Sequence, residues 1–293
     1  MGERISITSG ALTASIDPLG AELMSLADAD GRELMTAADP AHWTGHAPIL
    51  FPIVGRLNGD VLRTGGREYA MKQHGFARRS TFRVVAATDD QAVFELVDSA
   101  ETRAVYPFAF RLVVTYTVAA ATLTIEVGIG NPGDTPLPAS FGFHPAFAWP
   151  LPYGRRREDH RIVFDADEPA AIKRLDGGLI AGDRASPLDW RTLALDDALF
   201  ADDALIWFGP QSEAVTYGAA DGPQLRIAFP DTPFLGIWSQ PGAGFVCVEP
   251  WHGYADPTGF TGEFRDKPGV FEVAPHVAPG GEKWVSMSVT LVP

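Results

Sequence analysis

One cysteine, Cys247, is present in 293 residues. No intrachain disulfide is available, and the composition suits a reducing compartment. No apolar run approaches the ~20 residues that a membrane span needs. No stretch carries the 3.6-residue period of a long amphipathic helix, and Ala37–Trp43 suits one helical turn at most. Linkers, low-complexity tracts and internal repeats are lacking, which predicts a single domain over residues 1–293. Positive charge is scarce: 23 Lys and Arg stand against 37 Asp and Glu, a net charge of −14. That field repels nucleic acid and anionic membranes, so neither is an expected partner, and it fits a neutral small molecule best. Met1–Ser6 lacks the apolar core of a secretory signal, and the expected location is cytoplasmic. Gly2 and Ser6 match the loose myristoylation pattern, but Ile5–Thr8 already reads as a strand.

What the chain does have is period-two alternation. Leu12, Ala14 and Ile16 alternate with Thr13 and Ser15. Val93–Val97 follows, then Leu112–Val118 and Leu123–Val127, a pair separated by Ala119-Ala120-Ala121 that reads as adjacent antiparallel strands. Further short runs are Ile162–Phe164, Leu205–Phe208, Val215–Tyr217, Leu225–Phe229, Gly236–Trp238, Phe245–Glu249 and Trp284–Val292. The 30 glycines and 24 prolines supply turns between them. Asp30-Gly31 and Asn58-Gly59 suit tight hairpins, whose central residues need positive φ. The pattern predicts an all-β chain forming a large antiparallel β-sandwich.

Four clusters carry groups capable of chemistry. Phe51–Arg56 ends in an arginine able to donate several hydrogen bonds to hydroxyl oxygens. Gln73–Arg78 places His74 beside Gly75 in a loop-like setting. Phe141–Phe147 holds His144 between aromatic residues, with Pro145 fixing the backbone after it and Phe143 and Phe147 as candidate apolar walls. An imidazole there is suited to donate a proton near neutral pH, although on this stretch alone a satisfied core histidine is the plainer reading. Phe245–Trp251 ends an apolar strand in Glu249, on the same face as Phe245 and Cys247. Burial beside Trp251 would raise the carboxyl pKa and make it a better base, which its apolar flanks favour over the alternative of a strand-end glutamate facing water.

In order and approximate spacing, Pro52–Arg56, Gln73–Arg78, Phe141–Phe147 and Val248–Gly253 resemble the aldose 1-epimerase (galactose mutarotase-like) family. Gly20–Leu23 and Phe234–Trp238 extend the likeness over nearly the whole chain, closest to the shorter bacterial branch. The resemblance implies a galactose mutarotase-like supersandwich and a cofactor-free, metal-free enzyme, monomeric or homodimeric. It would interconvert the α and β anomers of a hexose. It implies His144 as general acid on the ring oxygen and Glu249 as general base on the anomeric hydroxyl, with Arg56 and His74 binding substrate. Longer members grip hydroxyls with an aspartate, for which Asp203 is the candidate here. Opening a hemiacetal requires one proton given to the ring oxygen and one taken from the C1 hydroxyl, which a Glu–His pair supplies.

Three other readings stay open. Arg78-Arg79 or Arg155-Arg156-Arg157 could meet a phosphate, as in a sugar-phosphate mutarotase. His74, His144 and Glu249 could form a zinc hydrolase site, although no His-Glu-x-x-His helix is present. The same fold could also serve a carbohydrate-binding module without catalysis.

Overall fold

The computed structural model describes residues 3–276 and 281–293, so Gly2 and its modification pattern lie outside the described residues. Alternation becomes strand wherever it is strongest. Arg111–Ala119 buries Leu112, Val114, Tyr116 and Val118, and Thr122–Gly130 buries Leu123, Ile125 and Val127. The two pair antiparallel, Leu123 opposite Val118, across the alanine turn. A fully buried large apolar side chain is worth ~1.5–3 kcal/mol. Slipping Arg111–Ala119 by one residue would turn its four buried side chains outward, a loss of roughly 6–12 kcal/mol that rivals a domain's whole net stability.

Two large antiparallel sheets result. The nine-stranded sheet runs, in spatial order, Thr192–Ala194, His160–Phe164, Ala214–Ala219, Gln224–Ala228, Glu282–Val292, Thr122–Gly130, Arg111–Ala119, Gln91–Val97 and Arg83–Ala87. The eight-stranded sheet runs Leu179–Arg184, Ile172–Asp176, Leu205–Phe208, Phe234–Trp238, Phe245–His252, Phe141–Phe143 and Ile49–Leu50, with Ala146–Ala148 also pairing Phe245–His252. Their inner faces meet in one core, where Phe164 lies 5.1 Å from Trp207 and Phe147 lies 6.4 Å from Tyr217 between ring centroids. Three small sheets flank the sandwich. Among the described residues no helix is long and apolar enough to cross a membrane.

Local departures from expectation have local causes. Asn58-Gly59 forms a 3₁₀ turn over Asn58–Asp60 rather than a hairpin. The Asn58 backbone N–H instead donates to Asp256 Oδ2 at 2.8 Å, and its side chain to the Phe260 carbonyl. The nearby hairpin uses Gly65-Gly66, φ 59° and 69°, between Val61–Thr64 and Arg67–Ala70. At Asp30-Gly31 only the glycine has positive φ, and the turn returns the chain to a bridge between Ala27 and Glu33. Ala37–Trp43 is a single turn, closed by Trp43 N–H to the Asp39 carbonyl at 3.0 Å. The described α-helix is Ala100–Arg103, capped reciprocally by Ser99 and Thr102.

Candidate active site

Phe245–His252 is buried at every residue but the last, because the core lies on one face and a cavity on the other. Val246 and Val248 belong to the main core, while Glu249 and Trp251 line the cavity. Pro250 has no N–H to donate, and the neighbouring chain is interrupted at that level. Phe141–Phe143 pairs with Trp251 and His252, Ala146–Ala148 with Phe245, Val246 and Cys247, and His144-Pro145 forms the break between them. The break frees His144 to point into the cavity, while Phe143 and Phe147 turn into the core. The proposed apolar walls are therefore misplaced: Trp43 and Trp238 flank the imidazole instead. Trp43 stacks on His144 at 4.9 Å and 29°, and Trp238 meets it edge-on at 6.0 Å.

His144 Nε2 lies 3.1 Å from Glu249 Oε2, with both side chains almost wholly buried. Burial pushes the Glu249 carboxyl well above the usual carboxylate range, and the negative charge of Asp203 adds to the shift. Burial and the nearby Arg78 guanidinium push the His144 imidazole well below its ordinary value. Both shifts favour the neutral forms, so the resting pair is a carboxyl facing a neutral imidazole across a hydrogen-bonding distance.

His74 sits at φ 64° before Gly75 at φ 70°. A Cβ on Gly75 would lie 2.2 Å from the Phe51 carbonyl oxygen, so this turn tolerates only glycine. The turn is tied down by His74 N–H to the Gly55 carbonyl at 2.9 Å, while Gly55 N–H donates to His74 Nδ1 at 3.2 Å. Accepting at Nδ1 makes the neutral ring an Nε2–H donor. Burial keeps that ring neutral, with the Arg78 and Arg79 charges acting in the same sense. The two imidazoles meet edge-to-face at 5.7 Å.

The cavity, about 320 Å³, is also lined by Gln73, Arg78, Gly178, Asp203 and Trp238. Of the five residues singled out from sequence, the structure brings His74, His144, Asp203 and Glu249 together. Arg56 is the correction. Its guanidinium is held by Asp60 at 2.8 and 2.9 Å and donates to the Gly177 carbonyl, and it lines a neighbouring cavity. Arg78 is the arginine that lines this cavity instead. It lies four residues after His74, within the 3₁₀ turn Ala77–Arg79, and makes no side-chain hydrogen bond or ion pair among the described residues. Trp43 gave no signal beyond a turn, because its role depends on a loop folding back over His144. Arg155, Arg156 and Arg157 pair with Asp221, Glu158, Asp159 and Asp197 and stand apart from the cavity. Metal-capable donors converge on His144, Cys247 and Glu249, rather than on the His74-containing set expected for a zinc hydrolase.

A twisted two-sheet sandwich whose central strand presents a buried carboxyl to an imidazole, inside an aromatic-walled cavity, defines a galactose mutarotase-like protein. The chain belongs to the aldose 1-epimerase family, whose model matches residues 3–271. It is 32% identical over 283 residues to Protein LacX (chromosomal) of Lactococcus lactis, covering 92% of this chain and 95% of that protein. The crystal structure of a galactose mutarotase related enzyme from Lactobacillus acidophilus superposes with a TM-score of 0.92 at 33% identity, over 99% and 98% of the two chains. A galactose mutarotase-like protein from Lactobacillus casei gives 0.90 at 29% identity, over 99% and 100%.

Proposed function

We propose that this protein is a mutarotase, interconverting the α and β anomers of a free hexose by acid–base ring opening and closure. The observation that carries the reading is the 3.1 Å contact between His144 and Glu249 at the wall of a small cavity. At about 320 Å³ that cavity is at the low end of the ~300–1,000 Å³ typical of ligand pockets, which suits one sugar ring.

The pair holds one proton. Passing it across the contact from Glu249 to His144 yields an imidazolium and a carboxylate. Imidazolium His144 then protonates the ring oxygen while Glu249 takes the proton of the C1 hydroxyl. The bond from C1 to the ring oxygen breaks, leaving an open-chain aldehyde and the pair again with one proton. Rotation about C1–C2 presents the other carbonyl face, and the reverse transfers close the ring. Each role contributes ~10²–10⁴ in rate, or about 3–5 kcal/mol. His74 Nε2–H is suited to donate to the ring oxygen, where charge develops. Arg78 and Asp203 have the donors and acceptors to hold hydroxyls, and Trp43, Trp238 and Trp251 offer apolar faces for the sugar C–H surface.

Polarimetry of freshly dissolved α-galactose and α-glucose, alongside the corresponding 6-phosphates, tests the reading. Faster decay of optical rotation with a free hexose is the expected outcome. Acceleration with the phosphates alone would move the substrate class. Binding without acceleration of any aldose would make the protein a sugar-binding module.

A further inference from the structure

Cys247 takes no part in the proton transfers above, yet it sits beside the groups that do. Cys247 and Glu249 are two residues apart on one strand and share a face. Cys247 lies opposite Ala146 on one side and Trp238 on the other, one residue below the break that releases His144. A thiol sulfur, an imidazole nitrogen and a carboxylate oxygen are thereby gathered with every pair of donor atoms within 4.8 Å, all three residues buried. We infer that Cys247, His144 and Glu249 form a binding site for a thiophilic divalent cation such as Zn²⁺, and that its occupancy switches the acid–base pair off.

The donor set fits the ion. Zinc takes mixed sulfur, nitrogen and oxygen ligands at ~2.0–2.3 Å in tetrahedral array, so its neighbouring donors stand roughly 3.3–3.8 Å apart. The His144–Glu249 separation of 3.1 Å is already near that spacing, and the sulfur needs only a small approach. Two of the three ligands, His144 and Glu249, line the cavity, and three protein ligands leave a fourth position for water. Without metal the thiol is inert, since burial keeps it protonated. Binding expels the thiol proton and the proton shared by the pair to solvent, with no change of oxidation state. The nitrogen and oxygen that would exchange protons with a sugar are then committed to the metal. The loss of activity rests on the proposed mutarotase reading; the binding of metal does not.

The experiment uses Co²⁺ as a spectroscopic probe and Zn²⁺ as the inhibitor, on the full chain stripped with a chelator. Wild type is expected to bind one Co²⁺ with a thiolate-to-cobalt charge-transfer band. Zn²⁺ is expected to abolish mutarotation, and a chelator to restore it. Cys247→Ala, and the closer-packing Cys247→Ser, are expected to lose the band while mutarotating in the presence of Zn²⁺. Losing a direct ligand should weaken binding by at least the ~10–100-fold that loss of an outer-shell partner costs. A wild type that takes up no stoichiometric Co²⁺, or a band that survives in both Cys247 variants, overturns the site. A cobalt band in a protein that accelerates no aldose leaves the metal site standing and removes the mutarotase reading alone.

Discussion

At the scale of single residues, the proposed chemistry turns on two pKa shifts of opposite sign. The His144 value is depressed from 6.5, so a second proton joins the pair only well below that pH. The Glu249 value is raised from 4.5, so the pair loses its proton only well above that pH. The singly protonated pair therefore persists over a wider pH range than unperturbed groups would allow. With chelator present to keep the enzyme metal-free, the alkaline fall in kcat/KM should begin at a higher pH than the roughly 6.5 at which unperturbed groups would start to lose activity about tenfold per pH unit. A steady fall above pH 6.5 would show that burial does not set these values. The burial of Glu249 at the cavity was legible because a carboxylate ending an apolar strand before Pro250 and Trp251 is flanked by residues that exclude water. Arg56 was misread because nothing in Gly55-Arg56-Leu57 announces that Asp60, four residues on, will hold the guanidinium.

At the scale of elements, one strand and the glycines beside it shape the cavity. Trp251 lies between Gly142 and Gly236, where added Cβ atoms would come within 2.6 and 2.5 Å of its ring. Gly236 is opposite Glu249 and Gly142 opposite Trp251 in the sheet register. Gly236→Ala should therefore displace a ring that has no room to retreat, costing ~1–3 kcal/mol of stability. It should also raise KM, since the same ring walls the cavity; urea unfolding and steady-state kinetics would detect both. An unchanged midpoint and KM would mean that Trp251 has slack. Strands were readable from alternation where one face is buried and the other partly exposed, as in Arg111–Ala119. Phe245–His252 is buried on both faces, so the direction of each side chain came from parity alone. The Asn58-Gly59 turn was misread because long-range partners, Asp256 and Phe260, decide its conformation.

At the scale of the whole molecule, distant segments are tied behind the cavity by a buried ion pair. Lys267 Nζ lies 3.2 Å from Asp256 Oδ1, with almost no exposure on either side chain, and also donates to the Tyr254 carbonyl. Asp256 in turn accepts from Asn58 N–H, and Asp256 N–H donates to the Arg56 carbonyl, which fixes the chain beside Gly55 and Ala255 at the cavity floor. Lys267→Met should cost about 3–5 kcal/mol by urea unfolding, because Asp256 is left buried without its ion-pair partner. Adding Asp256→Asn should recover part of that loss; a Lys267→Met protein as stable as wild type would show that the pair contributes nothing. Sandwich architecture was foreseeable from the spacing of short strands, but this tie was not, since its partners come from segments with no pattern in common. The central claim is that two residues 105 positions apart act as one proton-exchanging unit on a single sugar ring. It is tested most directly by anomeric exchange rates, followed by NMR of the C1 proton, in wild type, Glu249→Gln, His144→Asn and the double variant. Each single variant should fold and lose ~10²–10⁴ in rate, and the double variant should be no slower than the worse single one, because members of one catalytic unit are not additive. A single variant within a few-fold of wild type, or losses that multiply in the double variant, would contradict it.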